Sequence, residues 1–498
     1  MITQEPVQLK KERNLAITWG ISFLILFPLL IFLGLLMRLG QGELIKLLLA
    51  NFYAFMTLHG LGMAGLLFSI SFAAVWYLIS TRYTKLNLKV GYFIFFTIII
   101  GFAGLTFGTL IGKFGAGWYM LYPLPFKDPT WFVWSIKISI ISLTVLGIAW
   151  LTGILYLLYA LLKEYKGFKN LLGWQFASEI GEHKDIPPII FITSISLIAA
   201  IPGFIVGIAI MCMYLFQSFE PVLSFNAVLL NNMTFFFGHT LSTVTLYCSI
   251  AWVYALLPEF TMRVWKTNKA LLYCWYASLF LMLISYAQHL FMNFIHPLSA
   301  YHAGLLAAYL STVPPTVITI LGVFEQLYHS KIKWGIIPLL FLLGTAGLAI
   351  GGFVALLNIY QAFNKILHNT LWVPAHFHSY TLMGIVLFVL GFLFYLFSPI
   401  NYQQKDKLAK TGFWIFIAGG YGFILMFYLG GFNSIPRSFA RYTGTGFKNM
   451  HATAVSLSQI SVGFIIVIII GLLLMYISLF FRLFKKKDQQ HLTDNTVY

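Results

Sequence analysis

Polar residues in this chain fall in short clusters, and between the clusters the sequence runs apolar for about 20 residues or more, the length a helix needs to cross a lipid bilayer. Twelve such runs can be marked, at about 15–37, 51–80, 90–112, 131–163, 187–217, 226–258, 269–293, 302–327, 334–358, 371–399, 411–432 and 452–483. The first lacks a small-residue cleavage site and reads as a true span. With an even number of crossings, both termini share one side. The connecting clusters on that side read "TRYTKLNLK", "KEYKGFKN", "TMRVWKTNK", "HSKIKW" and "QQKDKLAK", whereas the opposite side reads "RLGQGE", "FGAGWYMLYPLP", "FQSFEPVLSF", "FIHPLSAY" and "FNSIPRSFARYTG". The first set is richer in lysine and arginine, so it is expected to be cytoplasmic together with both termini.

Composition agrees with one all-α membrane domain over residues 1–498 and leaves no soluble module of any size: 60% of residues are hydrophobic, 9% are charged, and mean hydropathy is +0.86. The net charge of +17 sits in loops and tails, where orientation explains it, and does not point to nucleic acid; the partner it implies is the lipid bilayer. Cys212, Cys248 and Cys274 lie far apart without a CxxC pair, which argues against a disulfide framework, a zinc site or a cysteine-bridged copper centre within the chain.

Against this apolar background five histidines stand inside spans: His59 in "MTLHGLGM", His239 in "FFFGHTLST", His289 in "YAQHLF", and His376 and His378 in "HNTLWVPAHFHSY". Ionisable side chains are costly in hydrocarbon and mark functional sites. Neutral imidazole is a common metal ligand, so the set suggests metal or haem ligation. Residues two apart on a helix differ by about 200° in direction. His376 and His378 therefore face opposite ways and suit two different planar cofactors with the helix between them. At the helical rise per residue, His59 lies about 12 Å and His378 about 10 Å from the outer side, a matched depth at which they can clamp one haem from both faces. His376 then serves a second haem, which His239 and His289 would meet from its open side.

These motifs resemble the haem-copper oxidase superfamily, specifically the catalytic subunit I of cytochrome c oxidases, over nearly the whole chain. "LHG" at 58–60 is similar to the low-spin haem motif, "GAGWYMLYPLP" at 115–125 to the loop after the third span, "FFGH" at 236–239 to the copper-ligand motif, and "VPP" at 313–315 to the eighth-span signature. "HNTLWVPAHFH" at 368–378 looks like the B-type branch. The resemblance implies His59 and His378 on a low-spin haem, His376 on a high-spin haem, and His239 and His289 on a second, non-haem metal. "IPR" at 435–437 resembles a basic pair that meets haem propionates, of which only Arg437 remains; its guanidinium suits carboxylates. Phe377, between the two histidines, is a plausible electron route.

Two positions depart from the family pattern. The family places a tyrosine, cross-linked to the copper ligand, four residues after the sixth-span histidine; here that residue is Thr243. The family's His-His pair on the seventh span reads Gln288-His289. Cleaving O₂ in one step needs four electrons: two from the haem iron, one from copper and one from the tyrosine. Converting two NO to N₂O and water needs two. Members that reduce NO lack the tyrosine, so the sequence places NO reduction ahead of O₂ reduction by a terminal cytochrome c or quinol oxidase. Gln288 is either a ligand or a hydrogen-bonding neighbour of the substrate, with His296 and His302 as substitute donors. An amide oxygen is harder than imidazole and favours iron(II) over copper(I), while the B-type likeness favours copper; both metals stay open.

For protons, Thr312, Thr316, Thr319 and Glu325 on the eighth span read either as a B-type-like path or, for the threonines, as hydroxyls satisfied by their own helix. Tyr247 and Tyr286 do not stand at the family's tyrosine position. Neither a CxxCH haem motif nor a dinuclear-copper cysteine motif occurs. A partner subunit bearing copper or haem c, or direct quinol oxidation, is expected to supply electrons at a bacterial or archaeal cytoplasmic membrane. A transporter would show paired broken spans and a haem sensor an output module; the sequence shows neither.

Overall fold

A computed structural model of the chain describes residues 6–123, 126, 130–178, 186–220, 222–290, 298–398 and 407–494. Among them, twelve helices are long and apolar enough to cross a membrane: α1 Val7–Gln41, α2 Leu49–Arg82, α3 Leu88–Ile111, α4 Val133–Glu164, α5 Pro188–Phe219, α6 Ala227–Thr261, α7 Lys269–His289, α8 Tyr301–Leu327, α9 Ile336–Ile359, α10 Trp372–Phe397, α11 Lys407–Phe432 and α12 His451–Leu483. In hydrocarbon every backbone polar group must be paired within the protein, and a helix does this within each segment. Among the described residues the only β-type pairing is an isolated bridge, Thr370 to Pro436.

The ends follow local chemistry. Asn87, Asn226 and Asn268 cap α3, α6 and α7, each side-chain oxygen accepting a hydrogen bond from a backbone N–H of the first turn. The helix of α1 begins well before the apolar run because "QLKKER" is made of good helix formers. The seventh helix stops at His289, short of the expected 293, and its last turn tightens to a 3₁₀ helix over Tyr286–His289.

Burial separates centre from periphery. In their most apolar stretches α2 is 83% buried, α10 78%, and α5 and α6 72% each, against 28% for α1 and 33% for α7. The histidines of α2, α6 and α10 therefore sit on the helices most removed from lipid. A five-residue π turn, Thr381–Ile385, begins three residues after His378 in α10; such turns collect at functional sites. It packs against α9 at Gly347, where a Cβ would lie 1.9 Å from the Met383 carbonyl oxygen, so only glycine permits this approach. At the basic end, Arg82 of α2 joins Glu259 of α6 at 2.5 Å and the Tyr395 hydroxyl of α10 at 2.8 Å, tying three central helices together.

Candidate functional site

His59 and His378 face each other across the gap between α2 and α10, with ring centres 6.3 Å apart and planes inclined by 22°. The Nδ1–H of His59 donates to the Leu30 carbonyl at 2.8 Å, and that of His378 to the Pro374 carbonyl at 2.7 Å. A carbonyl only accepts, so each ring carries its proton on Nδ1 and keeps the Nε2 lone pair free. An ion about 2 Å from each of two opposed imidazole nitrogens leaves the ring centres about 6 Å apart, so the pair fits one iron held between them. Phe427 stacks on the outer side of His378 at 5.4 Å, and the buried Arg38 guanidinium lies 4.1 Å over Phe427. The sequence reading missed Arg38.

His376, two residues earlier on α10, turns the other way. Its ring lies edge-on to Tyr380 at 4.5 Å, and its buried Nδ1 has no hydrogen-bond partner. Across from it His239 and His289 stand 5.6 Å apart with planes at 55°. This is closer and more tilted than the in-line pair, as expected where two imidazoles converge on one ion at an angle. The His289 ring stacks on Phe235. All five histidines, with Gln288, Thr243, His368 and Arg437, line one continuous cavity of about 640 Å³. Gly238 and Gly352 line it too; a Cβ at Gly238 would meet nothing within 4 Å, and one at Gly352 only a Thr316 methyl at 3.7 Å. Phe377 sits between the lobes, edge-on to Trp118 at 5.1 Å.

The outer end of the cavity is built from two loops. Leu371 N–H donates to the Ile435 carbonyl, and Arg437 N–H to the Asn369 carbonyl, locking "IPR" against "HNT". The Arg437 guanidinium donates to the Tyr119 hydroxyl and lies 4.7 Å over that ring. It has no acidic partner among the described residues, and burial pushes its pKa down to about 10. A half-buried cation without a counter-charge is costly, which fits a site for carboxylates such as haem propionates. The neighbouring His368 holds the Asn364 side-chain oxygen at 2.9 Å.

The remaining expected residues divide. Gln288 is buried at the site, with no hydrogen-bond partner among the described residues. Thr243 donates its hydroxyl to the His239 carbonyl at 2.8 Å. His302 is exposed and away from the cavity, and His296 lies outside the described residues. Glu325 is exposed as well; the buried polar residue beside it is Gln326, which accepts from Thr261 at 2.9 Å. Thr312, Thr316 and Thr319 line the cavity. Thr316 and Thr319 donate to carbonyls of their own helix, and the Tyr254 hydroxyl meets Thr319 at 2.9 Å. Tyr247 also lines the cavity, its hydroxyl bonded to Ser278 and pointing to the Ser311 carbonyl, while Tyr286 packs on Phe236. Among the described residues no three His, Cys, Asp or Glu side chains converge on one point. The second metal site thus offers two imidazoles and, beside them, an amide. The donor sets fit two haems and one further ion.

The chain matches the family described as "Cytochrome C and Quinol oxidase polypeptide I" over residues 14–473. It is 23% identical over 258 residues to a cytochrome c oxidase subunit 1 of Alkalihalophilus pseudofirmus, covering 51% of this chain and 41% of the relative. It is 23% identical over 264 residues to a probable quinol oxidase subunit 1 of Staphylococcus epidermidis, covering 51% and 38%. The matched part is thus about two fifths of the length of each of these relatives. In fold it is similar to a haem-copper terminal oxidase dimer solved by cryo-electron microscopy, with a TM-score of 0.79, 17% identity, and coverage of 95% of this chain and 84% of that one. These names are those of oxidases. They lend nothing specific to the expected order of NO ahead of O₂, and favour the reverse. The match over residues 14–473 shows that the chain belongs to the cytochrome c and quinol oxidase polypeptide I family.

Proposed function

We propose that the chain is the catalytic subunit of a respiratory terminal oxidase that reduces O₂ to water in a bacterial or archaeal cytoplasmic membrane, with both termini cytoplasmic. The observation that carries this reading is the single cavity in which α10 divides a facing histidine pair from a converging one. His59 and His378 hold the low-spin haem through Nε2, and their carbonyl partners orient the rings and raise their basicity. His376 holds the high-spin haem on the other face of α10. His239 and His289, with Gln288 as a third donor, hold copper, or iron in its place. When bound, these groups supply the electron storage and the open coordination site that the reaction needs. Arg437 and Tyr119 hold propionates at the outer end. Phe377 and Trp118 fill the space between the lobes with close-packed aromatic rings. Electrons enter from a partner subunit carrying copper or haem c, or from a quinol. Protons from the cytoplasmic side reach Tyr247 along the hydroxyls of Tyr254, Thr319 and Ser278, entering beside the exposed Glu325, whose carboxylate surface water can replace. Tyr247, which lines the same cavity as His239 and ends this hydroxyl chain, lends the fourth electron.

A second reading, reduction of NO to N₂O, is favoured by one observation: Thr243 stands where the family tyrosine is expected, and its hydroxyl is engaged with the His239 carbonyl. Turnover of the purified complex with O₂, and separately with NO under anaerobic conditions, tests both. Rapid O₂ consumption with little NO turnover is expected. NO turnover without O₂ consumption overturns the oxidase reading in favour of the second.

A further inference from the structure

Four oxidisable aromatic side chains stand in unbroken succession between the cavity and the basic end of the bundle. Tyr247 of α6 lines the cavity, and its ring meets the Trp275 indole of α7 edge to face, with centres 4.8 Å apart and planes at 77°. Trp275 also lies beside the Tyr254 hydroxyl, about two turns further along α6. Tyr254 in turn packs on Trp265, with ring centres 4.0 Å apart. The first three side chains are buried. Trp265 is half-exposed in the loop from α6 to α7, between the exposed Val264 and Lys266. Gly322 of α8 makes room for it, since a Cβ there would lie 2.3 Å from the indole. Phenylalanine is the commonest aromatic residue of the chain, 49 against 27 tyrosines and 13 tryptophans, and its ring resists oxidation, yet none interrupts this line. Edge-to-face packing is served equally by phenylalanine, which brings no polar group to satisfy. Packing alone therefore does not account for the phenols and indoles.

We propose that Tyr247, Trp275, Tyr254 and Trp265 form a discharge route, by which an oxidising equivalent stranded in the cavity when electron supply fails is passed to the surface and quenched there by a small thiol. The inference rests on the reading of Tyr247 as donor of the fourth electron. When no further electron arrives, the Tyr247 phenoxyl radical takes one from Tyr254 by way of the Trp275 ring. The Tyr254 O–H bond breaks, and its proton moves along the hydroxyls of Thr319 and Ser278 to re-form the O–H bond of Tyr247. Tyr254 lies 2.9 Å from the Thr319 hydroxyl, and Ser278 is bonded to Tyr247. The Tyr254 radical then takes an electron from Trp265 and a proton from the entry beside Glu325, while the Trp265 N–H proton leaves to surface water. A thiol, the class of reductant that a cytoplasm maintains, returns a hydrogen atom to Trp265: its S–H bond breaks, the N–H bond re-forms, and two thiyl radicals join as a disulfide. Each step moves one electron together with one proton, so no charge is left within the hydrocarbon, where it is costly.

The test treats the purified complex with hydrogen peroxide and no electron donor, in the presence of a nitroso spin trap, and maps the adducts by peptide mass spectrometry. The wild-type protein is expected to carry the adduct on Trp265, and added glutathione to prevent it. Trp275→Phe and Tyr247→Phe should each lose the adduct, which separates transfer along the line from direct attack on an exposed indole. Trp265→Phe should keep the wild-type haem spectrum and initial O₂ turnover but lose activity sooner over successive peroxide additions. Trp265→Tyr, which stays oxidisable, should regain the wild-type lifetime. Labelling of Trp265 that persists at the wild-type level in Trp275→Phe, or equal lifetimes for Trp265→Phe and wild type, overturns the route. So does a tyrosyl signal in electron paramagnetic resonance, lost in Tyr247→Phe, that is never followed by an adduct on Trp265; the donor reading of Tyr247 then stands. A wild-type protein with neither that signal nor the adduct overturns the donor reading, and the route with it.

Discussion

Arg437 is the clearest place to disturb cofactor binding without touching an iron ligand. Its side chain is half-buried, lies over Tyr119, donates to that hydroxyl, and has no acidic partner among the described residues. A carboxylate about 4 Å away at an effective dielectric of 20 gains about 4 kcal/mol of direct attraction. Truncation measurements of hydrogen bonds to charged groups give about 1.5–3 kcal/mol, and the lower figure suits a site at the outer mouth of the cavity. With about 2 kcal/mol lost and tenfold per 1.4 kcal/mol, Arg437→Met should release haem about thirty times faster, provided association is unchanged. Arg437→Lys keeps the charge but loses the fork and should fall between. Tyr119→Phe removes one neutral partner, worth about 1 kcal/mol, and should accelerate release about fivefold. Transfer of haem from detergent-solubilised protein to excess apomyoglobin, followed optically, reads these rates directly. An Arg437→Met protein that is well folded and loses haem at the wild-type rate refutes the propionate role.

Other consequences are equally direct. His59→Ala and His378→Ala should each remove the low-spin haem spectrum and spare CO binding at the other haem, whereas His376→Ala should do the reverse; visible spectra of reduced and CO-treated protein show which. Gly347→Ala forces a Cβ to within 1.9 Å of the Met383 carbonyl and should cost about 1–3 kcal/mol, seen as a lowered unfolding midpoint by tryptophan fluorescence; an unchanged midpoint contradicts the packing described for α9 and the π turn. Tyr247→Phe should leave haem content intact and lower O₂ turnover at least about tenfold, the scale on which one lost catalytic group is felt; unchanged O₂ turnover removes Tyr247 as a donor and shifts weight to NO. Glu325→Gln, at an exposed position, should change turnover less than about twofold, since surface substitutions are usually mild; a larger loss makes the carboxylate an obligatory proton entry.

Much of this was legible because a membrane imposes simple rules. A charge-poor run of sufficient length has one solution, so the twelve spans could be marked from apolarity, and the larger misses at their ends fall where polar residues extend the helices, as at the start of α1, at Lys407 of α11 and beyond α12 to Asp494, or where a 3₁₀ turn shortens α7. The opposition of His376 and His378 followed from helical periodicity alone, and His378 does meet His59. What the sequence could not show depends on contacts between distant segments. The Ser285 hydroxyl meets the His239 ring at 2.6 Å only because α6 and the end of α7 come together, and nothing in "ISYAQH" singles it out. Tyr119 and Arg437 are 318 residues apart. Glu325 looked significant for its rarity, yet one residue of helical rotation leaves it outside and puts Gln326 within.

The division of labour between the histidines of α10 is the core of the account, and haem stoichiometry with CO titration of the reduced complex tests it most directly. Two haems per chain are expected, one six-coordinate and inert to CO and one that binds a single CO, with CO binding lost in His376→Ala and retained in His378→Ala. One haem per chain, or CO binding to both in the wild-type protein, contradicts it.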